Sequence, residues 1–150
     1  MSHCLSLTEA AEFMAPAEVV WDLLFDWPAI VDWMPDGYIR SLSIEGSGIG
    51  AVRHLVTGKG VSLSERLDEA NRETGSLELS LVGDLPWELL SYAARGKLEN
   101  LAQNRCLLVW QGSAELSEAG DAARQVERLL RASYRKMFAG IRSVVETRVR

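Results

Sequence analysis

With two cysteines, two histidines and four prolines in 150 residues, the chain lacks material for several chemistries. Cys4 and Cys106 are far apart and in no metal-ligand spacing. Neither a metal site nor a disulfide framework is therefore expected, and two unpaired thiols fit a reducing cytoplasm. No Ser/His/Asp or Cys/His constellation is visible, and neither histidine lies in a nucleophile motif. A phosphate-cradling loop is missing too, because Gly46, Gly48, Gly50, Gly58 and Gly60 fall in hairpin turns, and no cofactor is expected. No apolar run reaches the roughly 20 residues of a membrane span. The start, MSHCLSLTEAAEF, has no basic region before an apolar stretch, so a signal peptide is not expected. Basic excess is also absent. Lys and Arg number 16 against 21 Asp and Glu, a net charge of −5, which invites neither nucleic acid nor an anionic membrane. Without repeats, low-complexity tracts or Pro/Ser-rich linkers, residues 1–150 read as one domain, a monomer or weak homodimer.

What is present is an ordinary globular balance, 47% hydrophobic and 25% charged, with uneven charge. Residues 1–115 carry 8 basic and 17 acidic side chains, whereas residues 116–150 carry 8 and 4. The basic end reads as the solvated face of a helix, with a binding patch as the alternative. Between Ala15 and Pro35, APAEVVWDLLFDWPAIVDWMP places Trp21, Trp27 and Trp33 close together, enough aromatic mass for one wall of a cavity.

Periodicity then orders the elements. Cys4–Met14 reads as a strand, Pro16 and Pro28 open two short helices, and Pro35-Asp36-Gly37 stops the second. Six alternating segments follow: Tyr38–Glu45, Gly50–Thr57, Val61–Asn71, Ser76–Val82, Trp87–Leu98 and Arg105–Glu115. After Gly120 a helical stripe runs through Val126, Leu129, Leu130, Ser133, Met137, Ile141, Val144 and Val145. Arg124, Arg128, Arg131, Arg135 and Arg142 lie mostly on the other side. Strands in direct succession imply an antiparallel meander, whose concave face is the partner for the long helix.

The turn Thr57-Gly58-Lys59-Gly60 sets a register. A hairpin centred on Lys59 opposes Thr57 to Val61, Leu55 to Leu63, Arg53 to Glu65 and Ala51 to Leu67, all on one face. His54, Val56, Ser62, Ser64, Arg66 and Asp68 fall on the other, outward face. An Arg–Glu pair thus sits in the middle of an apolar face. A structural ion pair is one reading. The other is a polar station in a wet cavity, which relieves the desolvation that makes buried pairs costly.

APAEVVWDLLFDWPAIVDWMP, GAVR, SERLDEANRETGSLELSL, LPWELLSY and LVWQG, in this order and spacing, resemble the bacterial polyketide cyclase/dehydrase family. That family is part of the START-like, birch-pollen-allergen-like SRPBCC superfamily, and the resemblance runs from about Glu12 to Val145. It implies an α+β helix-grip fold: a seven-stranded antiparallel sheet wrapped around a long C-terminal helix, with a hydrophobic cavity between. Trp21 is then core, Trp27 a hinge packing residue and Trp33 a residue of the cavity mouth. The superfamily includes the plant abscisic-acid receptors, whose gate and latch loops correspond here to Thr57–Gly60 and Gly83–Pro86. Neither loop keeps the receptor sequence. Glu65 and Tyr92 match pocket residues there, while Ala94 and Trp110 replace polar ones, which implies a more apolar cavity.

A ligand is therefore expected against Trp33, Arg53, Leu55, Leu63, Glu65, Leu79, Leu81, Trp87, Tyr92, Trp110, Met137 and Ile141. Its class is a small hydrophobic molecule: a lipid, isoprenoid or polyketide, bound or carried. The alternative is cyclisation or dehydration with Glu65 as base and Arg53 and Tyr92 stabilising an enolate. A role through protein contacts on the basic face is a third reading.

Overall fold

In the computed structural model, which describes residues 2–148, the alternating segments become seven antiparallel strands of one sheet. They are β1 (His3–Phe13), β2 (Ile39–Glu45), β3 (Val52–Thr57), β4 (Ser62–Asn71), β5 (Ser76–Leu81), β6 (Leu89–Ala102) and β7 (Arg105–Leu116). Their order across the sheet is β1-β7-β6-β5-β4-β3-β2. Each strand from β2 onwards pairs with its sequence neighbour, and β1 closes the far edge on β7. Between β1 and β2 lie α1 (Ala17–Phe25), a 3-10 turn (Trp27–Ala29) and α2 (Ile30–Trp33), and α3 (Asp121–Arg148) follows the sheet. This is a helix-grip fold.

The hairpin register holds. Arg53 opposes Glu65 and Leu55 opposes Leu63, and the Thr57 and Leu67 amides bond to Val61 and Ala51. His54 faces outward, hydrogen-bonded to Ser64 (2.7 Å) and Glu45 (2.8 Å). Most strand ends shift by a residue or two and β6 runs on to Ala102 instead of stopping at Leu98; three differences have a local cause. Pro16 caps α1 instead of opening it. Pro28 lies within the 3-10 turn, because the chain must bend sharply there before α2. β6 begins at Leu89, since Trp87 and Glu88 take left-handed conformations (φ 58° and 60°) that end any strand.

α3 divides into two halves. Towards its C-terminus, Phe138, Ile141 and Val145 pack into solid core with Phe13 and Val20, and the Phe13 and Phe138 rings meet edge-on at 6.4 Å. Each such fully buried side chain contributes roughly 1.5–3 kcal/mol. Towards its N-terminus, Leu130, Tyr134 and Met137 face a hollow instead. The helix arginines are not all simply solvated. Arg131 and Arg135 reach Glu9 of β1 (3.4 and 3.2 Å), and Arg142 donates to the Glu12 carbonyl (3.0 Å). They fasten α3 to the edge strand, so the basic end is partly matched by acids of β1.

Candidate functional site

A cavity of about 670 Å³ lies between the N-terminal half of α3, the inner face of β3–β7, and the segment from Leu24 to Ile39. Its size is that of a small-molecule site. Trp27, Trp33, Trp87, Trp110, Tyr38, Tyr92 and Tyr134 all line it, whereas Trp21 and the three phenylalanines do not. Most aromatic rings carrying a polar edge thus go to the cavity, while Phe13 and Phe138 go to the core. Trp21 is buried and stacks on Phe25 (6.0 Å, interplanar angle 11°).

Alternation along β3 and β4 turns Arg53 and Glu65 inward, and Arg53 Nε donates to Glu65 Oε1 at 2.7 Å. Trp27 completes this group. Its ring lies 3.6 Å beneath the guanidinium, its carbonyl accepts from Arg53 (3.2 Å), and its indole N–H donates to the Glu65 carbonyl (3.2 Å). Burial draws the Arg53 pKa downward, while the charge and hydrogen bond of Glu65 oppose the shift. Trp27 is thus packed at the bend, as expected, and from there it also fixes the ion pair in the wall. Nothing in the helical periodicity shows this, because the contact depends on the bend at Asp26–Trp27.

A second polar group is built by Tyr92 of β6 and Tyr134 of α3. The Tyr92 and Tyr134 hydroxyls are 2.5 Å apart, and Gly112 makes room for them, since a Cβ there would overlap the Tyr134 hydroxyl. Burial, and then the neighbouring Tyr134, raise the Tyr92 pKa far above its ordinary value. Burial pushes Tyr134 up to about 12. Both hydroxyls stay protonated; one donates to the other, and the second keeps its own O–H for a further acceptor. Tyr134 was missing from the sequence reading, although its place was legible, four residues after Leu130 and three before Met137.

Eleven of the twelve anticipated residues line the cavity: Trp33, Arg53, Leu55, Leu63, Glu65, Leu79, Leu81, Trp87, Tyr92, Trp110 and Met137. Ile141 does not. It is fully buried in the solid part of the core, one turn beyond the hollow. Trp33 is wall and not mouth, at 4% exposure. Its Nε1 is the one buried side-chain nitrogen or oxygen among the described residues without a hydrogen-bond partner. The exposed lining residues are Pro35, Asp36, Gly37, Gly58, Lys59, Ala132 and Lys136, which mark the opening. The Thr57–Gly60 turn is tied down there, Gly58 donating to the Tyr38 carbonyl (2.9 Å) and accepting from Arg40 (2.8 Å).

The profile of the family described as "Polyketide cyclase / dehydrase and lipid transport" matches residues 5–146. The chain belongs to this family. No curated protein sequence matches it. Among solved structures, the Zhui aromatase/cyclase from Streptomyces sp. R1128 superposes with a TM-score of 0.86 at 20% identity, over 99% of this chain and 97% of that one. Norcoclaurine synthase from Thalictrum flavum, solved with a transition-state analogue, gives 0.83 at 16% identity, over 100% and 99%. XoxI from Bacillus cereus gives 0.78 at 23% identity, over 93% and 94%. At these identities the likeness establishes the shared fold. Among the described residues of this family member, no helix is long and apolar enough to cross a membrane.

Proposed function

We propose that this protein binds a small, mostly apolar molecule in the cavity and holds or carries it without chemical change. One observation carries the reading: the charged groups deep in the wall neutralise each other. Arg53 is committed to Glu65 and to the Trp27 carbonyl, and the tyrosine hydroxyls remain neutral. An apolar hollow with a few convergent polar groups and no net charge in its deep wall suits recognition. The experiment is native mass spectrometry of the protein purified from its own host. A small apolar adduct released on denaturation is expected. A bare chain that also takes up no apolar probe would overturn the reading.

A second reading has one observation in its favour. Glu65 Oε2 accepts no hydrogen bond among the described residues, so a carboxylate oxygen is available beside the Tyr92–Tyr134 pair. With Glu65 taking a proton next to a carbonyl and Tyr92 stabilising the enolate, the site would perform a cyclisation or dehydration. The aromatase/cyclase likeness is consistent with this but, resting on fold, does not choose it. Conversion of a captured ligand by the native protein, abolished in Glu65→Gln, would replace the first reading by the second.

A further inference from the structure

We infer that the ligand is an amphiphile bound head-outward, its anionic head held at the cavity mouth by Lys59 and Lys136. The inference rests on the binding reading above and assigns the ligand's charge and direction. The chain has three lysines against thirteen arginines, and two of the three line this cavity. Both are exposed at its opening, Lys59 at the tip of the β3–β4 turn and Lys136 on the outer turn of α3. Neither belongs to an ion pair among the described residues, whereas nine of the arginines do. Lys136 Nζ lies 5.2 Å over the Tyr38 ring, and Ser133 steadies that ring through the Tyr38 hydroxyl (2.8 Å). Arg40 holds the turn through the Gly58 carbonyl, leaving Lys59 free of structural duty. Asp36 is the one acid among the exposed lining residues, so the mouth carries a net positive charge.

The deep end has the opposite preference. Arg53 is neutralised there by Glu65, whose second oxygen is unbonded, so an anion pushed inward finds no net positive charge to answer it. Like charges in a poorly hydrated wall repel strongly. A neutral oxygen on the ligand body would instead suit the spare hydroxyl proton of the Tyr92–Tyr134 pair. The protein as a whole, at −5, repels anions at long range. Head recognition is therefore local and salt-sensitive.

The test is displacement of Nile red, an uncharged dye, by oleic acid and by methyl oleate, at low and high salt. Oleate should displace the dye at a roughly fivefold lower concentration than the ester, as two solvent-exposed charge contacts allow. Lys59→Met/Lys136→Met, checked for its fold by circular dichroism, should abolish that advantage. Lys59→Arg/Lys136→Arg should keep it, and high salt should shrink it in the native protein. Equal displacement by acid and ester, or an oleate advantage that survives in the Met variant, overturns the head-outward assignment while leaving binding intact. A protein that takes up no dye contradicts the binding reading itself, and this inference with it.

Discussion

Arg53 and Glu65 show how one residue pair sets the character of the cavity. Together they are a neutral patch stacked on Trp27; separately each is a buried charge. Arg53→Met leaves Glu65 unpaired, and a broken buried pair costs about 3–5 kcal/mol. The lower end applies here, since the Glu65 side chain keeps 16% exposure. Arg53→Met/Glu65→Gln should be clearly less destabilised than the sum of its single variants. Additive melting free energies would mean that the pair is not coupled. The tyrosines make a separate prediction. Both are harder to ionise folded than unfolded, so the unfolded chain loses protons first as pH rises. The pair's contribution is complete below the ordinary tyrosine pKa of 10 and declines as pH rises toward the Tyr134 value of about 12. Tyr92→Phe should make the alkaline loss of thermal stability shallower, and an unchanged slope would contradict the assignment.

At the level of elements, the segment from Trp33 to Tyr38 is seated between two glycines. A Cβ on Gly140 of α3 would overlap the Trp33 carbonyl, and one on Gly58 would overlap the Gly37 carbonyl. Gly140→Ala should therefore lift α2 off α3, costing about 1–3 kcal/mol as overpacking does. Ligand release should also quicken, since Trp33 forms the wall there. A variant with native melting and release would show that the contact yields freely. Ile141→Asp acts on the other half of α3, placing an unpaired charge at a site with 0% exposure. Severe destabilisation is expected, and an unchanged melt would contradict the packing of the helix. The α3 stripe was legible because a long helix against a sheet repeats at three and four residues. The β3–β4 register was legible because its two-glycine turn admits few geometries. Trp27, Gly140 and the tyrosine pair's glycine niche were not. Each depends on how close two distant backbones come, and no local pattern encodes that.

Across the whole molecule, one helix performs two tasks. Its C-terminal half closes the core with Phe138, Ile141 and Val145, and its N-terminal half roofs a hollow with Leu130, Tyr134 and Met137. The sequence pattern shows the continuous stripe but not where packing stops and the cavity begins. That is why Ile141 was expected in the ligand site and is found in the core. Gly96 and Gly112 on β6 and β7 let the Trp110 ring and the Tyr134 hydroxyl lie directly against the sheet, where a Cβ would overlap them, and both side chains then line the hollow. The central claim is that the cavity holds an apolar ligand. Met137 is the side chain to enlarge, since it borders the hollow on α3 and is 9% exposed. Titration with an environment-sensitive fluorescent fatty acid, native protein against Met137→Trp, tests it most directly. The filled cavity should bind at least tenfold more weakly, a difference of about 1.4 kcal/mol. Equal affinity in a variant that keeps its fold would place the probe on the surface and contradict the cavity as the binding site.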